Sequence, residues 1–190
     1  MTKPNGYILW EGVSPLDGKP LVLIGTGFAK STANDKTGDM IQTWILRQDL
    51  DPWEAFKGPE GFSNCGDCSH RENRTCYVRW YQAPKSIWKC YRRNGYGRLT
   101  DYSLLEGRML RVGSAGDPAM VPVEVWKALI NAAGGHTGYT HQWREDFAQE
   151  LKGLVQASCD SFQDYLDSTA HGWQPFLVKR KDDPTPDGAV

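Results

Sequence analysis

The spacing of apolar positions changes period several times along this chain, and each change marks an element. Tyr7-Ile8-Leu9-Trp10 and Leu21-Val22-Leu23-Ile24 are short apolar runs. Between them Ser14-Pro15-Leu16-Asp17-Gly18-Lys19 supplies Asp-Gly turn chemistry, which predicts an N-terminal β-hairpin. A Gly-, Ser- and Thr-bearing stretch over 25–38 leads into Met40-Ile41-Gln42-Thr43-Trp44-Ile45-Leu46, whose β-branched and aromatic content predicts a buried strand. Residues 48–64 read as a long loop with one short helix near 52–56. After Pro84, a good first helical residue, Ile87, Trp88 and Tyr91 share one face at helical spacing. Strand 108–112 then precedes helix 122–133, strand 137–143 precedes helix 144–151, and strand 154–158 precedes helix 161–170. A last strand covers 173–178.

Strands that alternate with helices pair in parallel, because a parallel neighbour needs a crossover connection. The expected fold class is α/β: a partial, half-barrel-like, mostly parallel sheet with flanking helices, plus the N-terminal β-hairpin. The expected division is an N-terminal hairpin extension over 1–38, a single α/β domain over 39–180 with a cysteine loop at 64–77, and a flexible tail over 181–190. Such sheets bind ligands beyond the carboxyl ends of their strands, so the residues that follow each strand carry the functional signal.

Composition narrows the class. The 190 residues are 39% hydrophobic and 24% charged with a net charge of −1, which is globular composition. A chain of this length buries roughly 70% of its unfolded surface and needs no metal to complete a core. No run resembles a signal peptide or a membrane span, so the expectation is a soluble cytoplasmic protein with no membrane partner. In that compartment five cysteines are ligands, reactive thiols or buried small residues sooner than disulfides.

Three of them form one segment, Asn64-Cys65-Gly66-Asp67-Cys68-Ser69-His70-Arg71-Glu72-Asn73-Arg74-Thr75-Cys76-Tyr77. A C-x2-C turn aims two thiolates at one ion, with Gly66 relieving crowding, and Cys76 offers a third. The spacing suits zinc or an iron-sulfur cluster. Cys90 on the helix after Pro84, or His70 inside the loop, can complete a tetrahedral site; with neither, one metal position stays open. Beyond the later strands stand Asp117, His141 and Asp160, which are candidate catalytic groups on the sheet reading. Each has a plainer role: Asp117 and the Cys159-Asp160-Ser161 run as helix caps, His141 as a structural histidine. Asn34-Asp35-Lys36-Thr37-Gly38 lacks the phosphate-loop pattern and precedes a strand.

Charge is uneven. From Arg71 to Arg98 eight basic residues face one acidic residue, interleaved with Tyr77, Trp80, Tyr81, Trp88, Tyr91 and Tyr96. Cations neutralise phosphates and aromatic rings stack on bases, which makes Lys85, Lys89, Arg92 and Arg93 candidate nucleic-acid contacts; a core helix with a solvated cationic face gives the same pattern.

Three cysteines after the first main strand and Val112-Gly113-Ser114-Ala115-Gly116-Asp117-Pro118 after the second resemble the layout of radical S-adenosylmethionine enzymes. Leu9-Trp10-Glu11-Gly12, Lys36-Thr37-Gly38-Asp39-Met40, Cys76-Tyr77-Val78, Gln82-Ala83-Pro84 and Gly138-Tyr139-Thr140-His141-Gln142-Trp143-Arg144 make the chain similar, over Leu9 to about Val178, to a family of small phage-encoded proteins of that kind. The C-x2-C-x7-C spacing departs from the C-x3-C-x2-C of typical radical enzymes, and a cysteine group that family members carry near the C-terminus has no counterpart up to Val190. The resemblance implies a [4Fe-4S] cluster on Cys65, Cys68 and Cys76, with S-adenosylmethionine on its open iron and Gly113, Gly116 and Asp117 beside the cofactor. The family's reaction is undefined; for a catalytic member the resemblance implies a radical reaction on a substrate near His141 and Asp160, and the cation cluster beside the loop would suit an anionic substrate such as a nucleotide or nucleic acid. An alternative of another class is a zinc-stabilised nucleic-acid- or protein-binding module, a phage factor acting on a host protein without catalysis.

Overall fold

Leu21, Val22, Leu23 and Ile24 are all fully buried in the computed structural model, which describes residues 4–29 and 38–179. Their strand is covered on both faces, so a continuous apolar run, and not an alternating one, is what it requires. Strands β1 (Gly6–Val13), β2 (Pro20–Thr26), β3 (Ile41–Arg47), β4 (Gly97–Arg98), β5 (Met109–Ala115), β6 (Gly135–Thr140), β7 (Gln156–Cys159) and β8 (Pro175–Leu177) form one open sheet in the order β4-β1-β2-β3-β5-β6-β7-β8. The β1-β2 and β2-β3 pairs are antiparallel, and every other neighbouring pair is parallel. The α/β class, the mostly parallel sheet and the N-terminal hairpin are therefore as expected. The hairpin is not an appendage, however, since β2 lies inside the sheet between β1 and β3.

The helices are α1 (Pro52–Lys57), α2 (Phe62–Cys65), α3 (Ser69–Glu72), α4 (Ala83–Arg92), α5 (Val123–Ala132) and α6 (Phe162–Ala170). Two apolar layers sandwich the sheet. On one face Leu21, Leu23, Ile41, Ile45, Leu110 and Val112 pack with Trp126 and Leu129 of α5 and with Tyr165 of α6. On the other, Val22, Ile24, Leu46 and Ala115 pack with Trp53 and Phe56 of α1 and with Ile87, Trp88 and Tyr91 of α4. The period-two alternation within β2 and β3 decides which residue joins which layer.

Past β5 the second face receives the cysteine segment and a pocket, to which β5 to β8 contribute Arg111, Gly113, Tyr139, Ser158 and Phe176. This asymmetry places the site.

Several boundaries differ from the sequence expectation. The segment expected as a helix over 144–151 is a 3-10 turn, Asp146–Leu151. Glu145 gives it no side-chain cap, and the Gln149 amide folds back onto the carbonyl oxygens of Trp143 and Glu145. Part of the cysteine segment, expected as loop, is the short helix α3. The tail at 181–190 and the Lys36-Thr37 half of one motif lie outside the described residues. Among the described residues no helix is long and apolar enough to cross a membrane.

Candidate functional site

The cysteine segment is pinned to the carboxyl ends of the strands at every turn. Asn64 donates from Nδ2 to the Ile45 carbonyl oxygen at the end of β3, 3.1 Å away, and its own carbonyl accepts the Asp117 N–H at 2.8 Å. Gly66 has φ 61°, and a Cβ there would lie 2.4 Å from Gln142 Oε1, so only glycine fits. Gln142 in turn donates to the Cys65 carbonyl oxygen at 3.2 Å. Ser69 donates to Asp160 Oδ2 at 3.0 Å, and the His70 carbonyl accepts the N–H groups of Thr75 and Cys76 at 2.9 and 3.1 Å, folding Cys76 back toward its partners.

As a result Cys65, Cys68 and Cys76 line one cavity of about 480 Å³ with Val78, Trp80, Ala115, Tyr139 and Phe176 as apolar walls. Burial pushes the Cys65 thiol well above its ordinary pKa, and the neighbouring Cys68 and Cys76 thiols and the Asp117 carboxyl add to that. Burial likewise raises the Cys68 thiol to about 11. Left alone, both are neutral at pH 7. A bound cation reverses the balance, since a coordinating thiol gives up its proton.

The three thiols are not gathered as tightly as one zinc ion demands. Thiolates on a tetrahedral zinc stand about 3.8 Å apart, given Zn–S bonds of about 2.3 Å. Among the described residues the one group of three His, Cys, Asp or Glu ligand atoms within 4.8 Å of one another is His70, His141 and Asp160. Cys65, Cys68 and Cys76 share the cavity wall without forming such a group. Cys90 does not line this pocket. It stands on α4, with its thiol hydrogen-bonded to Tyr96 and packed against Gly95. Cys159, the last residue of β7, is buried against the Ser168 hydroxyl at 3.3 Å.

Asp117 is a strut. Its Oδ1 accepts the Ala119 N–H at 2.9 Å and the Thr140 hydroxyl at 2.7 Å, and its Oδ2 accepts the His141 N–H at 2.8 Å. The carboxylate thus caps the turn after β5 and ties it to the end of β6, as the plainer reading of this residue expected. Burial raises its pKa against the opposing pull of Thr140 and the two N–H groups. Gly113 and Gly116, at φ 71° and 81°, bend the same turn over the cavity.

His141 and Asp160, expected near each other, are joined by His70. Nε2 of His70 is 3.1 Å from Asp160 Oδ1, and Nε2 of His141 is 3.9 Å from the same oxygen. Sequence reasoning missed Arg111, which lines the cavity and donates to the Tyr77 hydroxyl at 3.0 Å. Its signal was available: alternation along β5 sends Leu110 and Val112 to the core and leaves Arg111 and Gly113 facing the cavity.

Of the four candidate nucleic-acid contacts, Lys85 is spent on Asp51 at 3.0 Å, and Arg92 donates to the Gln48 carbonyl oxygen at 3.1 Å while lying over the Trp88 ring. Lys89 on α4 and Arg93, the residue that ends that helix, are exposed. A comparison with protein-family models, with curated proteins and with solved structures found no match to this chain.

Proposed function

We propose that this chain is an iron-sulfur protein whose cluster is held by Cys65, Cys68 and Cys76, with the radical S-adenosylmethionine role that its sequence resemblance implies. The observation that carries it is the shared cavity: three thiols from one loop line a largely apolar pocket at the carboxyl ends of parallel strands, beside the Gly113–Asp117 turn. When bound, such a cluster supplies an electron for reductive cleavage of S-adenosylmethionine.

The chain's own residues do the rest. Trp80, Tyr139 and Phe176 give the pocket apolar walls. Glycines at 113 and 116 let the backbone approach a cofactor closely. Arg111 offers a guanidinium to an anionic group and Tyr77 a ring edge, so a substrate with a planar base and a phosphate suits the cavity. His141 lines the same cavity, with Asp160 Oδ1 3.9 Å from its Nε2.

The test uses protein reconstituted anaerobically with iron and sulfide. Addition of S-adenosylmethionine should alter the electron paramagnetic resonance signal of the reduced protein, and excess reductant should release methionine. Cys65→Ser should abolish both. A loaded protein whose signal ignores S-adenosylmethionine, with no methionine released, would contradict the cofactor assignment.

A further inference from the structure

His70, His141 and Asp160 come from three separate segments: the cysteine loop, the end of β6 and the end of β7. Their ligand atoms all lie within 4.8 Å of one another. We propose that these three residues form a second, mononuclear site for a divalent transition-metal ion, distinct from the three thiols, which clasps the cysteine loop to the sheet.

The distances suit one ion. Donors that share an ion at about 2.1 Å stand roughly 3.0 to 3.4 Å apart at octahedral or tetrahedral angles. The His70 to Asp160 separation of 3.1 Å already falls there, and the 3.9 Å from His141 needs only a small side-chain rotation. The imidazoles meet edge to face, with centroids 5.4 Å apart.

The unusual atom is His141 Nε2, which is buried and makes no hydrogen bond. A buried polar nitrogen is ordinarily satisfied, and one aimed at a carboxylate and a second imidazole nitrogen without bonding to either is what a ligand atom without its ion looks like. The outer contacts are those of a metal site as well. His70 Nδ1 lies 2.8 Å from the Thr75 hydroxyl, which turns Nε2 toward its hydrogen-bond partner Asp160 Oδ1 at 3.1 Å, and Asp160 Oδ2 accepts the Ser69 hydroxyl at 3.0 Å; an ion would take the place of the proton between Nε2 and Oδ1. Two neutral imidazoles and one carboxylate leave coordination positions open, as in the two-histidine-one-carboxylate sites of zinc and iron. Because His70 and His141 also line the cavity, those positions face it and can take a water or an anionic oxygen of a bound small molecule.

The site stands whether or not the thiols hold a cluster, and the experiment separates the two. The full chain carrying Cys65→Ser, Cys68→Ser and Cys76→Ser is titrated with Co²⁺, with calorimetry for stoichiometry and visible absorption for ligand type. About one ion per chain should bind, giving d–d bands and no thiolate-to-cobalt charge transfer. Adding His70→Gln, His141→Gln or Asp160→Asn should weaken binding at least tenfold, the lower end of what loss of even an outer-shell partner costs, while His171→Gln should leave it unchanged. No binding by the serine protein, or binding indifferent to those three substitutions, would overturn the proposal. Should the serine protein fail to fold, the wild-type chain answers: Co²⁺ should shift the imidazole proton resonances of His70 and His141 strongly and those of His136 and His171 little. The reverse pattern would overturn the site.

Discussion

Gly116 sits where a side chain is impossible: its φ is 81°, and a Cβ would lie 2.6 Å from Ile45 Cβ and 2.7 Å from the Ile45 carbonyl oxygen. Left-handed strain and overpacking against β3 both oppose substitution, so Gly116→Ala should lower unfolding free energy by about 2–4 kcal/mol, read by urea denaturation. Arg47 gives a second residue-scale prediction. It is buried at the end of β3, bonded to Ser63 at 3.0 Å and paired with Asp49 at 2.9 Å. Asp49→Asn leaves that guanidinium buried with half its partners, and because Asp49 is itself half exposed the expected cost is about 1–2 kcal/mol. Individual residues differed in legibility. Cys65, Cys68 and Cys76 declared themselves by spacing, and the cap at Asp117 by its position before Pro118. The His70 to Asp160 contact did not, because it joins residues 90 positions apart and no local pattern encodes it.

At the scale of elements, α6 shows sequence and structure in full agreement. Ser161 accepts the Asp164 N–H at 3.1 Å, and Asp164 Oδ2 accepts the Asp160 N–H at 3.1 Å, a reciprocal capping arrangement that the Ser-x-x-Asp pattern signals. Ser161→Ala should therefore cost about 1 kcal/mol. Burial raises the Asp164 pKa, but the Arg144 guanidinium, 2.5 Å away, and the Ser161 hydroxyl outweigh it and hold the carboxyl below its ordinary 3.8. A carboxyl depressed in the folded state stabilises fully above that value and loses its contribution as pH falls through and below it. Asp164→Asn should cost about 0.5–1 kcal/mol at pH 7 and flatten the acid limb of a stability-against-pH curve below about pH 4. The 3-10 turn at 146–151 was misjudged as a helix because apolar spacing alone does not register a missing cap. The two-residue β4 was invisible because it is too short to carry a pattern.

Across the whole molecule, one asymmetry accounts for the site. Helices α1 and α4 cover one face of the sheet near β2 and β3, α5 and α6 cover the other, and past β5 the first face receives the cysteine loop over a cavity. The alternation of strands and helices made the parallel sheet legible, and the rule that ligands gather at carboxyl ends pointed to Asp117, His141 and Asp160. Which face would stay open was not legible, because it depends on how the loop returns to contacts at Ile45, Gln142 and Asp160. Those contacts hold three thiols on one wall, and a cluster there is the central claim. The most direct measurement is iron and acid-labile sulfide content, with an absorption spectrum, on protein purified without oxygen. The prediction is about four irons and four sulfides per chain, with a broad visible band that bleaches on reduction and is lost in Cys65→Ser, Cys68→Ser and Cys76→Ser. Protein that carries no sulfide, even after anaerobic reconstitution with iron and sulfide, would contradict it.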